Sequence, residues 1–510
     1  MTNEDLQLLS FYEEPELLFN YKQPMIDPRD GLTLFGPLDR AKPEGIRWSI
    51  VGPQRSIEWM KRWLNKIQQP IYNINNPHAR PYFPGFESIF RTKLSLEPAQ
   101  EIEIPMKAIE SYLYISDGYQ RVHKLVELYA SKIISSLRTE DVRPDIWFVL
   151  IPHEIYLYCR PKSHVPSSIS IPPEIYISRK KAKLLSSQLS LIEEYNVIAE
   201  DYLYEINYHH QLKAMLLHEK IPTQIIRDVT IAPHELYKDN KKMLTAYDNL
   251  ETAICWNLAT AIFYKAGGRP WKLGAVRKGV CYIGLVFKKD EMSRNLRTAC
   301  CGAQMFLDSG DGVVFKGAVG PWYKEKESDF HLDKKSACDL VKLCISSYID
   351  GNGVPPTELF IHGRTYLNND EWSGFVEGAG NVTKVIGIRI RKVQDLKLFR
   401  KGNHPILRGL AYHIDNKRGY LWTEGMVPRL LTYPGREVPN PLSIDICRGV
   451  ANIHTVMADI LALTKLNYNS CSFGDSLPVT LKFANAVGEI LTSGPSKKLD
   501  VSPLPFKFYI

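Results

Sequence analysis

The chain has 510 residues, 44% hydrophobic and 24% charged, which excludes a disordered or fibrous class and leaves room for roughly two to four domains. A net charge of +8 is spread along the chain instead of gathered in a tail, so a wholesale polybasic binder is excluded while a local basic groove is not. Nine cysteines, with no CxxC pair and no recurring spacing against histidine, point to free thiols in a reducing compartment, not to disulfides or zinc.

The acidic opening MTNEDLQLLSFYEEPELL lacks the basic start and apolar core of a signal peptide. No apolar run approaches the roughly 18 residues of a membrane span, and a cytoplasmic location is expected. Residues 1–36 read as a lead-in, because Pro28, Gly31, Gly36, Pro37, Pro43 and Gly45 punctuate this part of the chain into turns. RWSIV (47–51) then predicts a strand, Gly52 and Pro53 a turn, and Ile57, Met60, Trp63, Leu64 and Ile67 a helix face.

The order repeats. The segment from Val122, VHKLVELYASKIISSL, predicts an amphipathic helix, and DIWFVLIP (145–152) is a wholly apolar run of the kind found in buried parallel strands. HEIYLYC predicts a short helix, His209 to His218 another, and Gln224 to Arg227 a strand after the Pro222 break. The helix DNLETAICWNLATAIFYKAGG carries Leu250, Ile254, Leu258, Ala261, Ile262 and Lys265 along one expected face and ends at Gly267 and Gly268. Alternating strands and helices imply a parallel α/β unit over 37–268.

Beyond Gly268 the pattern changes. CYIGLVFKK predicts a strand and the two apolar runs around Ser309-Gly310-Asp311-Gly312 a hairpin. The helix SACDLVKLCISSYIDG and strands ELFIHG, VIGIRI, ILRGLAYHI and GYLWT follow, so 269–510 is a second mixed α/β unit. Trp256 and Trp322 are expected in the core.

His209 and Lys213 stand four apart and share a helix face, where an imidazole and an ammonium can converge on one phosphate. Gln224 offers an amide at a strand end and Lys265 a second cation at a helix end. Taken singly these are an ordinary solvated helix face, a strand-end polar residue and a cation complementing a helix dipole.

Taken together they resemble the MID domain of Argonaute proteins, whose pattern is Tyr or His, three residues, Lys, then Gln after Thr, then Lys before Gly-Gly. LKAMLLHEKIPTQ, WNLATAIFYKAGGRPWKL, CYIGLVFK, VPNPL and PVTLKFANAVGEIL are also similar to bacterial Argonaute segments, and the resemblance covers essentially the whole chain. It implies a Rossmann-like MID domain (37–268) followed by a ribonuclease-H-like PIWI domain (269–510). It also implies that His209 meets the first guide nucleotide while Lys213, Gln224 and Lys265 hold its 5′-phosphate. In prokaryotic members the C-terminal carboxylate often helps to hold a divalent ion on that phosphate, which implies Mg2+ on Gln224 and Ile510. Where eukaryotic-type members have a further Lys, this chain has Ala261, so the pocket is expected to lean more on a metal.

Slicing Argonautes seat two metal ions on PIWI carboxylates. By the resemblance the first Asp position is Val286 in Gly284-Leu285-Val286, the second is Gly363 after LFIH, and the last ligand is Asn485 in KFAN. None of these three side chains can serve as an anionic ligand for magnesium, so an inactive PIWI domain is expected. Asp308, Asp311 and Glu325 are conceivable substitutes, but they read better as turn and loop residues.

A motif beginning at His209 leaves no room for N and PAZ domains ahead of it. The resemblance is therefore to short prokaryotic Argonautes, which are typically encoded beside an APAZ-containing effector. FPGFE, FYKAGG and VGPWY look closest to members paired with TIR-APAZ proteins, with Sir2-APAZ or an APAZ-linked nuclease as alternatives. That family implies a heterodimer, higher assembly on target binding, a 5′-phosphorylated guide RNA, a complementary single-stranded DNA target and NAD hydrolysis by the partner in defence against plasmids or phage. The competing readings are a guided endonuclease with unusual metal ligands and, last, an α/β enzyme for a small phosphorylated ligand, which has neither GxGxxG nor a P-loop to support it.

Overall fold

In the computed structural model Asp27 and Pro28 start a helix, Pro28–Phe35, where the Pro and Gly content predicts only turns. The structure describes residues 8–510 except 40–41, 43, 74, 140–142, 186–187, 189, 275–276, 291–296, 309–311, 325–329, 434, 436 and 496–503, and between 289 and 329 the backbone alone. Pro28 sits at the first helical position, where no N–H is lost, and Asp27 caps it by accepting from the Arg29 amide at 2.9 Å. Gly31 lies inside this helix because a Cβ there would fall 2.1 Å from the Phe19 ring. The opening segment also carries strands β1 (Leu9–Phe11), β2 (Leu17–Leu18) and β3 (Pro24–Met25), so it is built into the body and is no mere lead-in.

The first large unit is a four-stranded, wholly parallel sheet of β4 (Trp48–Gly52), β5 (Glu101–Glu103), β6 (Ile146–Ile151) and β7 (Thr223–Arg227), ordered β5-β4-β6-β7. Every residue of β4 and β6 is buried, which accounts for the unbroken apolar sequence of β6, while β4 carries one buried polar residue, Ser49. Helices Gln54–Lys66, Gly118–Thr139, Tyr208–Leu216 and Lys241–Lys265 connect and flank the strands. The last differs in phase from the expected face: Thr252, Cys255, Trp256 and Ala259 are buried while Leu250 is exposed. Its C-terminal half, 259–265, is buried all round, so no single stripe describes it.

A short strand β8 (Lys272–Leu273) pairs with β2, and β2 with β3. Then β9 (Val280–Asp290), β10 (Arg297–Asp308) and β11 (Gly312–Lys324) form an antiparallel meander. Strands β12 (Glu358–Gly363) and β13 (Lys384–Lys392) lie parallel to β9 on its other side. This β11-β10-β9-β12-β13 order is ribonuclease-H-like. It is extended by β14 (Leu410–His413), β15 (Arg418–Leu421) and β16 (Leu442–Arg448), giving nine strands in the order β1-β14-β15-β16-β13-β12-β9-β10-β11.

Alternation along β9 sends Cys281, Ile283 and Leu285 to a core under helices Lys334–Asn352 and Asn369–Ala379. Tyr282 and Val286 face the opposite side, under helices Ile453–Leu463 and Val479–Leu491. That second core is continuous with the parallel unit, running through Ile50, Phe148, Ile262 and Trp271 to Ile388 and Ile444. The two α/β units are therefore packed as one body. Trp256 is buried, and the Trp322 side chain lies outside the described residues. Seven described cysteines are free thiols, and among the described residues no helix is long and apolar enough to cross a membrane.

Candidate nucleic-acid interface

Asn207 starts the helix Tyr208–Leu216 by accepting from the His210 amide at 3.3 Å. This fixes Lys213 one turn beyond His209. The Lys213 ammonium is buried and donates to the Thr223 carbonyl and to the Ile510 main-chain oxygen, each at 2.6 Å. Lys265, buried at the far end of its helix, donates to the same Thr223 carbonyl at 3.1 Å and to Gln224 Oε1 at 2.6 Å. Two ammonium groups thus converge on one carbonyl oxygen at the start of β7.

Gly267, at φ +98°, turns the chain out of this helix, and the Phe263 ring fills the space a Cβ on Gly268 would need. The Gly-Gly pair is what lets Lys265 end a helix inside the protein. Ile510 reaches Lys213 because Phe506 packs on Phe483, ring centroids 4.6 Å apart, and Phe506, Tyr509 and Ile510 are all buried.

Two buried cations side by side set the electrostatics. Burial lowers Lys213 to about 7 and, joined by the charge of Lys213, holds Lys265 well below its ordinary value. His209 stands at the mouth, open to solvent on one side. Crowding by protein, and then the charges of Lys213, His210 and Lys265, keep its imidazole well below the usual value. Such a pocket suits an anion, because charge-assisted bonds restore both ammoniums.

The four residues singled out in the sequence therefore share one place, with Ile510 beside them. Sequence reasoning missed the Thr223 carbonyl that gathers both lysines; the only trace of it is the Thr before Gln224. Ala261, one turn before Lys265, is buried and adds no polar group. A hard cation takes oxygen donors, and Gln224 Oε1 and the Ile510 oxygen are of that kind, each already accepting from a lysine.

A second set of residues lies on the ribonuclease-H-like sheet. Val286 is buried in the apolar core, and Gly363 pairs with Leu285 on the adjoining strand. The helix Val479–Leu491 crosses β9 so closely that a Cβ on Gly284 would lie 2.0 Å from the Thr480 carbonyl. Beside it His362 Nδ1 meets Thr480 Oγ1 at 2.9 Å, with burial lowering that histidine to about 3.

Asn485, on the same helix, donates to Glu489 at 2.9 Å. Glu489 also accepts from Lys288 at 3.1 Å and lies 3.6 Å from His210 Nε2, linking this face to the helix that carries Lys213. His362, Thr480 and Glu489 carry no motif and could not be picked from sequence. Among the described residues no three His, Cys, Asp or Glu side chains are placed to hold a metal; Asp311, Glu325 and the side chain of Asp308 lie outside them.

Solved structures share this fold. Clostridium butyricum Argonaute, bound to a guide DNA (5′ deoxycytidine) and a 19-mer target DNA, superposes with a TM-score of 0.64 at 15% identity, covering 100% of this chain and 56% of that one. The chain has the Argonaute MID–PIWI fold. Drosophila Piwi matches it with a TM-score of 0.56 at 12% identity over 98% of this chain and 56% of its own. A. aeolicus Argonaute gives a TM-score of 0.52 at 15% identity over 97% of this chain and 54% of its own. The chain thus spans little more than half the length of these Argonaute-fold proteins. No protein-family model matches the sequence, and no curated protein does. In this Argonaute fold the parallel sheet is the MID-like unit, carrying the lysine pocket, and the nine-stranded sheet is the PIWI-like unit.

Proposed function

We propose that the chain is a guide-binding sensor that seats the 5′-phosphate of a guide strand on Lys213, Lys265 and Gln224, with His209 against the first nucleotide. The observation that carries this reading is the convergence of two buried ammoniums on the Thr223 carbonyl with no carboxylate side chain among their hydrogen-bond partners. A dianionic phosphate would supply negative charge to both ammoniums, whereas base edges would not. The neighbour in the Argonaute fold that was bound to guide and target DNA supports a nucleic-acid ligand. A divalent ion such as Mg2+, held by Gln224 and Ile510, would add positive charge against the same phosphate.

The proposal extends to the PIWI-like unit, which we read as a platform for the guide–target duplex without cleavage chemistry. Apolar Val286, side-chain-free Gly363 and the neutral amide of Asn485 support that reading. In the finer form the guide is RNA, the target single-stranded DNA, and the active enzyme a cytoplasmic APAZ partner of TIR type that hydrolyses NAD. Base pairing would supply the sequence specificity, as in other guided systems.

The test is to purify the chain with its genomic neighbour, extract the copurifying nucleic acid and determine sugar, length and 5′ end. Short 5′-phosphorylated RNAs, lost in the Lys213→Ala Gln224→Ala variant, are expected. Bound strands that survive that substitution would place the guide elsewhere, and cleavage of a matched target in Mg2+ or Mn2+ would overturn the inactive PIWI reading.

A further inference from the structure

A cavity of about 420 Å³ opens between the two units, well along the Lys241–Lys265 helix from Lys265. One wall is Arg80, Trp256 and Asn257 of the MID-like unit; the other holds Arg408, Tyr433 and Phe473 of the PIWI-like unit. The volume is in the range of small-molecule sites, and junctions between domains are where such sites concentrate.

The polar groups around it differ in what they leave free. Arg408 is spent: it pairs with Glu14 at 2.8 Å and donates to Thr464 Oγ1 at 2.5 Å and to the Thr423 carbonyl. Arg29, which also borders the cavity, is held by Asp27 in a two-bonded pair at 2.9 and 3.1 Å. Arg80 is different. Its Nη1 donates to the Asn249 carbonyl at 2.5 Å, and among the described residues it meets no carboxylate.

That carbonyl is itself fixed by the Asn73 amide at 3.0 Å, while the Asn249 side chain is held by Asn75 at 2.8 Å. Arg80 is thus an oriented guanidinium with donors to spare, suited to two-point binding of a phosphate. Asn257 uses its Oδ1 to accept from the Cys471 amide at 2.9 Å. This fixes the side chain with its NH2 left as a donor. Tyr433 is half-buried at the wall, beside the buried Trp256 and Phe473, so a planar ring has the Tyr433 face to lie against.

We propose that this cavity binds a free phosphorylated nucleoside, with Arg80 on the phosphate, Asn257 on a base or ribose oxygen and the aromatic wall on the base. The site is separate from the guide pocket and does not depend on the guide-binding reading. Because its walls come from both units, a bound nucleotide also braces one against the other.

The experiment is equilibrium binding of AMP and of ATP to the full chain, by calorimetry, with Arg80→Ala, Asn257→Ala and Lys213→Ala variants. Saturable binding that Arg80→Ala weakens at least about tenfold, as loss of a charge-assisted pair requires, and that Lys213→Ala leaves unchanged is the expected result. Two results overturn the proposal: no saturation at millimolar nucleotide, or binding that Lys213→Ala abolishes and Arg80→Ala does not, which returns the ligand to the guide pocket. Unchanged melting temperature and unchanged affinity for a 5′-phosphorylated oligonucleotide in Arg80→Ala separate a lost contact from a lost fold.

Discussion

Lys213 and Lys265 hold their protons poorly because both are buried, Lys265 also beside the Lys213 charge, and on the proposed function this gives guide loading a pH dependence. With Lys213 lowered to about 7, the free pocket carries this charge below neutrality and sheds it above. A bound phosphate dianion raises the lysine again, so above pH 7 binding must take up a proton. Affinity for a 5′-phosphorylated strand is therefore full just below pH 7 and falls as pH rises, by up to about tenfold per unit for one proton. Lys265, lowered in the same direction, steepens the slope. Below about 6 the phosphate loses its second charge and affinity declines again. Fluorescence anisotropy from pH 5.5 to 9 checks this: wild type should show the decline above neutrality, and Lys213→Gln should bind more weakly with a shallower decline. A 5′-hydroxyl strand should show no such profile. At this scale the sequence singled out His209, Lys213, Gln224 and Lys265, whose side chains the fold brings together, but not His362, Thr480 or Glu489. It was silent on the Thr223 carbonyl, since a main-chain oxygen is shared by every residue and only the fold says which one is used.

At the scale of elements, an unbroken apolar run identified β6, since a strand buried on both faces has little room for polar positions to alternate. The helix Pro28–Phe35 escaped because Pro and Gly read as turn formers. Each has a local reason here: Pro28 has no N–H to waste at a helix start, and Gly31 makes room for Phe19. Gly31→Ala tests that reason. An extra methyl 2.1 Å from a fully buried ring costs about 1–3 kcal/mol of overpacking. The gain in helix propensity is at most about 1 kcal/mol, so the melting temperature should fall. Adding Phe19→Leu should restore part of the loss; a more stable Gly31→Ala single variant would show that the ring moves aside freely. Gly284→Ala is the harsher case, since the obstacle is the Thr480 carbonyl of a packed helix and backbone must move. We expect a larger fall in melting temperature there, read by calorimetry. Val286→Asp, by contrast, should destabilise without producing cleavage, because it buries one unpaired carboxylate in an apolar core.

Across the whole molecule the closures that matter join residues far apart in the chain. β1 completes the nine-stranded sheet beside β14, Asp30 binds Arg429 at 2.6 Å, and Ile510 reaches Lys213 across 297 positions. Period and composition describe neighbours along the chain, so none of these pairings could be read before the fold was in hand, although Ile510 was expected at the pocket from family likeness. On the proposed function, the last of them would make guide binding depend on a segment belonging to the other unit. Deleting 506–510 removes the buried side chains of Phe506, Tyr509 and Ile510, each worth roughly 1.5–3 kcal/mol of burial, and takes one acceptor from Lys213. The truncated chain should melt several degrees lower and lose at least about tenfold of its preference for a phosphorylated over an unphosphorylated strand, as expected for a disordered charge-assisted site. Phe506→Ala separates the two effects: it weakens the packing on Phe483 while leaving the Ile510 oxygen in the chain. If Phe506→Ala lowers the melting temperature but keeps most of the phosphate preference, Ile510 orders the lysine directly. If both variants lose the preference equally, the packed turn as a whole positions the pocket, and if neither loses it the PIWI-like unit has no part in holding the guide end.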